Sequence, residues 1–207
     1  RDFCLSRGLG DVYKRQVPSW YGKGGWGTLG MLFSNHDNSS LAEAWYLNNQ
    51  FILDETMTRF PKLMDVHFNS PDISGIKDDP EFSKGMAAAG YGMGKDQMGL
   101  IHDRDTVAFY GDPAWVARLD ESHAKSPWHI SWNDPEDAAK GFTVTANKDA
   151  KGRLGVWFPN RISTKTATVT VGDAATPVDK MGLLTNDFLL LRELELKKGE
   201  KAVVEMK

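Results

Sequence analysis

Phe142-Thr143-Val144-Thr145-Ala146 and Ala167-Thr168-Val169-Thr170-Val171 alternate apolar and threonine side chains without a break. A period of two puts the apolar set on one face of a strand and the threonines on the other. Both runs therefore predict half-buried strands with one face on a core. Working outward, Trp128–Trp132, 154–158, Phe188–Leu196 and 202–206 are further short β-rich runs, and the first alternating strand extends over 142–147. Short strands separated by turn residues at this spacing predict a β-sandwich or barrel over residues 127–207. Lys148-Asp149-Ala150-Lys151-Gly152 reads as a hairpin-type connection.

The chain changes character upstream of these strands. Residues 120–127, Asp-Glu-Ser-His-Ala-Lys-Ser-Pro, read as a polar linker and place a domain boundary there. Before it, Ser40-Leu41-Ala42-Glu43 is a capping box, in which the Ser40 hydroxyl accepts from the Glu43 N–H and the carboxylate reaches back to the Ser40 N–H. Apolar residues at Leu41, Ala44, Trp45, Phe51, Ile52 and Met57 follow helical spacing, and Pro61 stops it, predicting a helix over Leu41–Arg59. A short strand is expected over 62–68 and a short helix over 80–89. Residues 106–110 read as a buried strand closed by Gly111-Asp112-Pro113.

Residues 6–16, Ser-Arg-Gly-Leu-Gly-Asp-Val-Tyr-Lys-Arg-Gln, match one reading frame of a transposase-based sequencing adapter codon by codon. Residues 1–16 are therefore set aside as adapter-derived and expected to be unstructured. The single cysteine, Cys4, falls in that stretch, so Val17–Lys207 offers no disulfide, thiolate ligand or cysteine nucleophile.

Composition excludes some classes. A hydrophobic fraction of 41% with 26% charged residues is that of an ordinary globular protein, and a net charge of −3 gives no basic footprint for nucleic acid. No apolar run approaches the roughly 20 residues that a membrane-spanning helix needs.

Four motifs carry candidate chemistry. Tyr21-Gly22-Lys23-Gly24-Gly25-Trp26-Gly27 lacks the helix start that a phosphate loop requires, since the predicted helix begins only at Leu41. It reads as a surface loop beside a cleft. His102-Asp103-Arg104-Asp105, with His36-Asp37, could supply a metal site or an acid–base pair. On a strand, however, neighbours point to opposite faces, which separates His102/Arg104 from Asp103/Asp105 and favours solvated turns or a local salt bridge. No serine sits in a nucleophile elbow. Trp128, Trp132 and Trp157 could form a stacking platform for sugars, although core packing is the commoner fate of such residues.

Three features together resemble the gingipain-like cysteine peptidases of caspase-like fold. Thr106-Val107-Ala108-Phe109-Tyr110-Gly111-Asp112-Pro113, continuing to Leu119, looks like that family's final strand and closing turn. Val17-Pro18-Ser19-Trp20 looks like the segment after the strand that follows the catalytic cysteine. The sandwich after Pro127 matches the immunoglobulin-like domain that trails the peptidase domain. The resemblance implies that 17–125 is the C-terminal half of a caspase-like α/β domain and 127–207 an immunoglobulin-like β-sandwich. It implies a secreted or cell-surface cysteine endopeptidase as parent, acting on peptide or protein substrates, with Trp20 and Ser19 at the substrate site. Both members of the Cys/His dyad would lie upstream of Val17, so no catalytic residue, metal or cofactor is expected in this chain and no activity from it alone. The Gly22–Gly27 loop and residues 69–99 have no counterpart in the family pattern. The alternative is a non-catalytic surface module that binds glycans or protein partners.

Overall fold

The computed structural model describes residues 13–15, 30–32, 39–67, 80–90, 95–109, 111–116 and 126–207. They fall into two compact units. One holds residues 48–115 together with the N-terminal residues up to 29, and the other holds residues 30–47 and 116–207. The dividing line runs through a single helix, α1 (Leu41–Arg59), between Leu47 and Asn48. The helix has the predicted bounds, and its capping box is formed: the Ser40 N–H donates to Glu43 Oε2 at 2.6 Å and the Glu43 N–H to Ser40 Oγ at 3.3 Å.

In the first unit a 3-10 helix, Pro61–Asp65, replaces the strand expected over 62–68. Proline at the first helical position fixes φ for a turn, and the N–H groups of Leu63 and Val66 close on the carbonyls of Phe60 and Leu63. Helices α2 (Pro80–Ala88) and α3 (Lys95–Thr106) follow. Phe82 and Met86 of α2, four apart, meet Met98 and Ile101 of α3, three apart, around Leu63 and Val66. Helix α3 runs directly into strand β2 (Val107–Phe109); of the expected 106–110, Thr106 ends the helix instead and Tyr110 lies outside the described residues. Strand β2 pairs antiparallel with β1 (Tyr13–Arg15), within the stretch expected to be unstructured. A ladder is made of backbone groups, so an open strand edge accepts an extended segment whatever its origin. Among the described residues this sheet has two strands only.

The second unit is a two-sheet antiparallel sandwich. Strands β3 (Trp128–Trp132), β4 (Phe142–Ala146), β6 (Ala167–Val171), β7 (Ala174–Pro177) and β10 (Lys201–Met206) form one sheet in the order β3-β4-β10-β6-β7. Strands β5 (Ala150–Trp157), β9 (Phe188–Leu196) and β8 (Gly182–Leu184) form the other, in the order β5-β9-β8. Helix α4 (Val178–Met181) joins β7 to β8. Phe142, Val144, Ala167 and Val169 meet Leu154, Val156, Leu189 and Leu191 in one core, the face that the alternation predicts.

The final strand, β10, lies inside the larger sheet, whereas in constant-type immunoglobulin domains the last strand belongs to the three-stranded sheet. The chain crosses between sheets after β4, β5, β7 and β9, so residues 147–149 are a crossover rather than a hairpin. The crossovers after β4 and β9 run side by side: the Ala146 N–H donates to the Glu200 carbonyl and the Gly199 N–H to the Ala146 carbonyl.

Strand β9 explains how the smaller sheet is buried. The pairing of β5 with β9 steps from Gly152↔Leu194 to Leu154↔Leu191, so Arg192 and Glu193 stand opposite Arg153 alone. This bulge reverses the alternation. Leu189 and Leu191 face the core before it, and Leu194 and Leu196 face the same core after it. On the outer side, the N-terminal half of β9 offers Phe188 and Leu190, opposite Trp157 and Gly155. The other half offers Glu193 and Glu195, which pair with Lys151 at 3.0 and 2.9 Å.

The apolar half of that outer face is covered by Met31, Tyr46 and Leu47. Gly155 is fully enclosed, and a methyl group built on it would lie 3.1 Å from Leu47 Cδ1 and 3.3 Å from Met31 Sδ. Tyr46 sets its ring edge-on to Trp157 at 5.5 Å and to Phe188 at 5.8 Å. A leucine at position 155 cannot fit without moving the helix. Gly155→Leu is expected to cost about 1–3 kcal/mol, measured by urea unfolding, with Gly155→Ala costing clearly less.

The loop after β3 is held by charge. Lys140 Nζ donates to Asp134 Oδ2 at 2.7 Å and the Glu136 N–H to Asp134 Oδ1 at 2.9 Å. The lysine hydrogen bond foremost, then the backbone donor, hold the Asp134 carboxyl below its ordinary range. A carboxyl lowered on folding stabilises above its unfolded value, and that contribution is lost as pH falls through the folded midpoint. An NMR titration should show Asp134 titrating below the ordinary aspartate value of about 3.9, and Lys140→Met should move the midpoint upward.

Candidate functional site

The cluster at 102–105 is helical, not extended. It lies on α3, where successive residues are turned by about 100° rather than set on opposite faces. His102 and Asp103 are both fully buried, with His102 Nδ1 3.5 Å from Asp103 Oδ1. Neither side chain reaches solvent, so neither presents a reactive atom to a substrate. Arg104 has a different task. Its Nη1 donates to the Leu63 carbonyl at 3.1 Å and its Nη2 to the Val66 carbonyl, while Nε meets Asp105 Oδ1 at 2.6 Å. The guanidinium thus ties α3 to the end of the 3-10 helix, adding a second donor to the Leu63 carbonyl, which already accepts from the Val66 N–H, and supplying one to the Val66 carbonyl. The expected division into His102/Arg104 and Asp103/Asp105 is replaced by contacts between sequence neighbours. Among the described residues no group of three or more His, Cys, Asp or Glu is placed to hold a metal. His36, Asp37, the Gly22–Gly27 loop and the expected substrate-site residues Ser19 and Trp20 lie outside the described residues.

The tryptophans of the sandwich do not share one platform. Trp128 is 1% exposed and belongs to the core. Trp132 is half-buried against Phe142 and Phe158, with ring centroids 4.8 and 6.0 Å away. Trp157 stacks on Phe188 at 5.9 Å with the planes 20° apart. Trp132 and Trp157 nevertheless line a common cleft of about 240 Å³. It opens where the edge strands of the two sheets, β3 and β5, face each other without a closing strand. Ile130 and Trp132 line it from β3, and Val156, Trp157, Phe158 and Pro159 from β5 and the residues after it. Glu43, in the first turn of α1, adds the one carboxylate among the described residues.

Sequence reasoning reached Glu43 only as a capping residue and missed Phe158-Pro159. A signal was present. Val156-Trp157-Phe158-Pro159 is an unbroken apolar run at a strand end, where a half-exposed strand would alternate.

No protein-family model, curated protein or solved structure matches this chain. Geometry alone therefore describes the site. Among the described residues it offers aromatic surface and one carboxylate. No helix among the described residues is long and apolar enough to cross a membrane.

Glutamine can replace glutamate in a capping box, whereas alanine cannot. Glu43→Ala should lower stability by about 0.5–2 kcal/mol, and Glu43→Gln should leave the thermal midpoint close to that of the parent. Arg104→Lys should behave like Arg104→Met rather than like wild type, because an ammonium cannot span two carbonyls and Asp105 as the planar fork does. Thermal unfolding of the four variants checks both statements.

Proposed function

We propose that the chain is the C-terminal part of a gingipain-like cysteine endopeptidase, supplying the edge of the substrate cleft and the trailing β-sandwich. The observation that carries this reading is an order of elements. A strand, Val107–Phe109, is followed by a turn at Gly111-Asp112-Pro113 and then by a two-sheet sandwich beginning at Trp128. The turn is locally specified: the Ala114 N–H donates to Asp112 Oδ1 at 2.9 Å and the Trp115 N–H to the Asp112 carbonyl at 3.2 Å, an Asx-type arrangement that ends the strand abruptly. Strand β2 has one strand neighbour among the described residues, in keeping with part of a larger sheet.

On this reading Ser19 and Trp20 border the substrate, and the thiol and imidazole that would attack the scissile carbonyl are supplied by the parent enzyme upstream. The strand order of the sandwich sets it apart from the constant-type immunoglobulin arrangement, so the support it gives is at the level of two packed sheets.

The test compares this chain with the product of its parent gene on a fluorogenic peptide library, with and without a thiol-alkylating reagent. Thiol-dependent cleavage is expected from the parent product and none from this chain. Cleavage by this chain, or a parent frame lacking a His-Gly and a following Cys after apolar runs, would contradict the proposal.

A further inference from the structure

The cleft between β3 and β5 has no part in the reading above, and its lining is chemically uneven. Trp132, Trp157 and Phe158 bring aromatic rings, and among the described residues Glu43 brings the one charged side chain, with no lysine, arginine, amide or hydroxyl side chain beside it. An anion entering would meet a carboxylate with no cation to offset it. A sugar would bring several hydroxyl groups and find, among the described side chains, one carboxylate to accept from them. A cation finds aromatic rings and a carboxylate, the two groups that attract it. The volume, about 240 Å³, lies below the usual range for drug-sized ligands and suits a single small head group.

We propose that this cleft binds one alkylammonium group, carried by a lysine side chain or by a free quaternary amine. The site is held in place before any ligand arrives. Trp157 stacks on Phe188 and meets Tyr46 in a T-shaped contact, the three rings touching one another, and Trp132 packs on Phe142 and Phe158. The Glu43 carboxylate is oriented by the Ser40 N–H, which leaves it acceptor capacity for a ligand. Groups that need no ordering lose little on binding. The inference rests on the cleft alone and is independent of the peptidase reading.

The experiment follows the indole N–H signals of Trp132 and Trp157 by NMR in the full chain. The titrants are choline, its neutral isostere 3,3-dimethylbutan-1-ol, Nα-acetyl-lysine methylamide and methyl glucoside. Choline or the lysine amide should give a saturable shift at least tenfold tighter than the isostere. The tighter of these two identifies the source of the ammonium group. Glu43→Gln, which keeps the cap, should bring cation binding to within about threefold of the isostere, as loss of one charge contact requires. Equal binding of choline and its isostere, no saturable shift with either cation, or tighter binding of the glucoside would each overturn the proposal. Should the variant fail to fold, the comparison of choline with its isostere on the unaltered chain still decides.

Discussion

The packing of Leu47 and Met31 onto Gly155 is the contact on which the second unit depends. A three-stranded sheet has two faces, and here the inner one is consumed by the sandwich core. The outer one is split by the bulge at Arg192-Glu193 into an apolar half, with Phe188, Leu190 and Trp157, and a charged half, with Lys151, Glu193 and Glu195. Water serves the charged half. The apolar half needs a cover, and a bulky side chain at 155 would press on Leu47 and Met31, which provide it. Burying Phe188 and Leu190 is worth roughly 1.5–3 kcal/mol each relative to exposure, enough to tie a helix segment distant in sequence to the sandwich.

The same contact creates the cleft. Once the first turn of α1 lies beside β5, its capping glutamate stands at the rim where β3 and β5 fail to close the sandwich. One carboxylate thereby serves two purposes, satisfying the Ser40 N–H and giving the aromatic cleft its charge. The arrangement places a polar group among rings that are otherwise there for packing, and it does so through the backbone logic of a helix start.

Much of this was legible in the sequence where a local rule decides the outcome. Ser40–Glu43 specified a cap, Pro61 a stop, and the threonine alternation two strands with the correct inward faces. What escaped reading depends on partners distant in sequence. The parity change within Phe188-Leu189-Leu190-Leu191-Arg192-Glu193-Leu194-Glu195-Leu196 becomes meaningful only with the bulge, and four consecutive buried residues show that both faces are covered. A boundary drawn on composition near 120–127 could not show that residues 30–47 join the sandwich. His102-Asp103 looked like surface chemistry because a strand was assumed to begin nearby; on a helix both side chains turn inward. Strands β7 and β8 were missed because they are short, and β7 is an edge strand of weak β formers. Gly172-Asp173, with Gly172 at φ 56°, was the turn signal for the first of them.

Native-state hydrogen exchange tests the central claim, that residues 41–47 and the smaller sheet fold as one unit, most directly. The amides of Ala44–Leu47 should open with the same free energy as those of Leu189–Leu191, and Gly155→Leu should lower both together. Exchange of the 44–47 amides at the level of a fraying helix end, with β9 still fully protected, would contradict it.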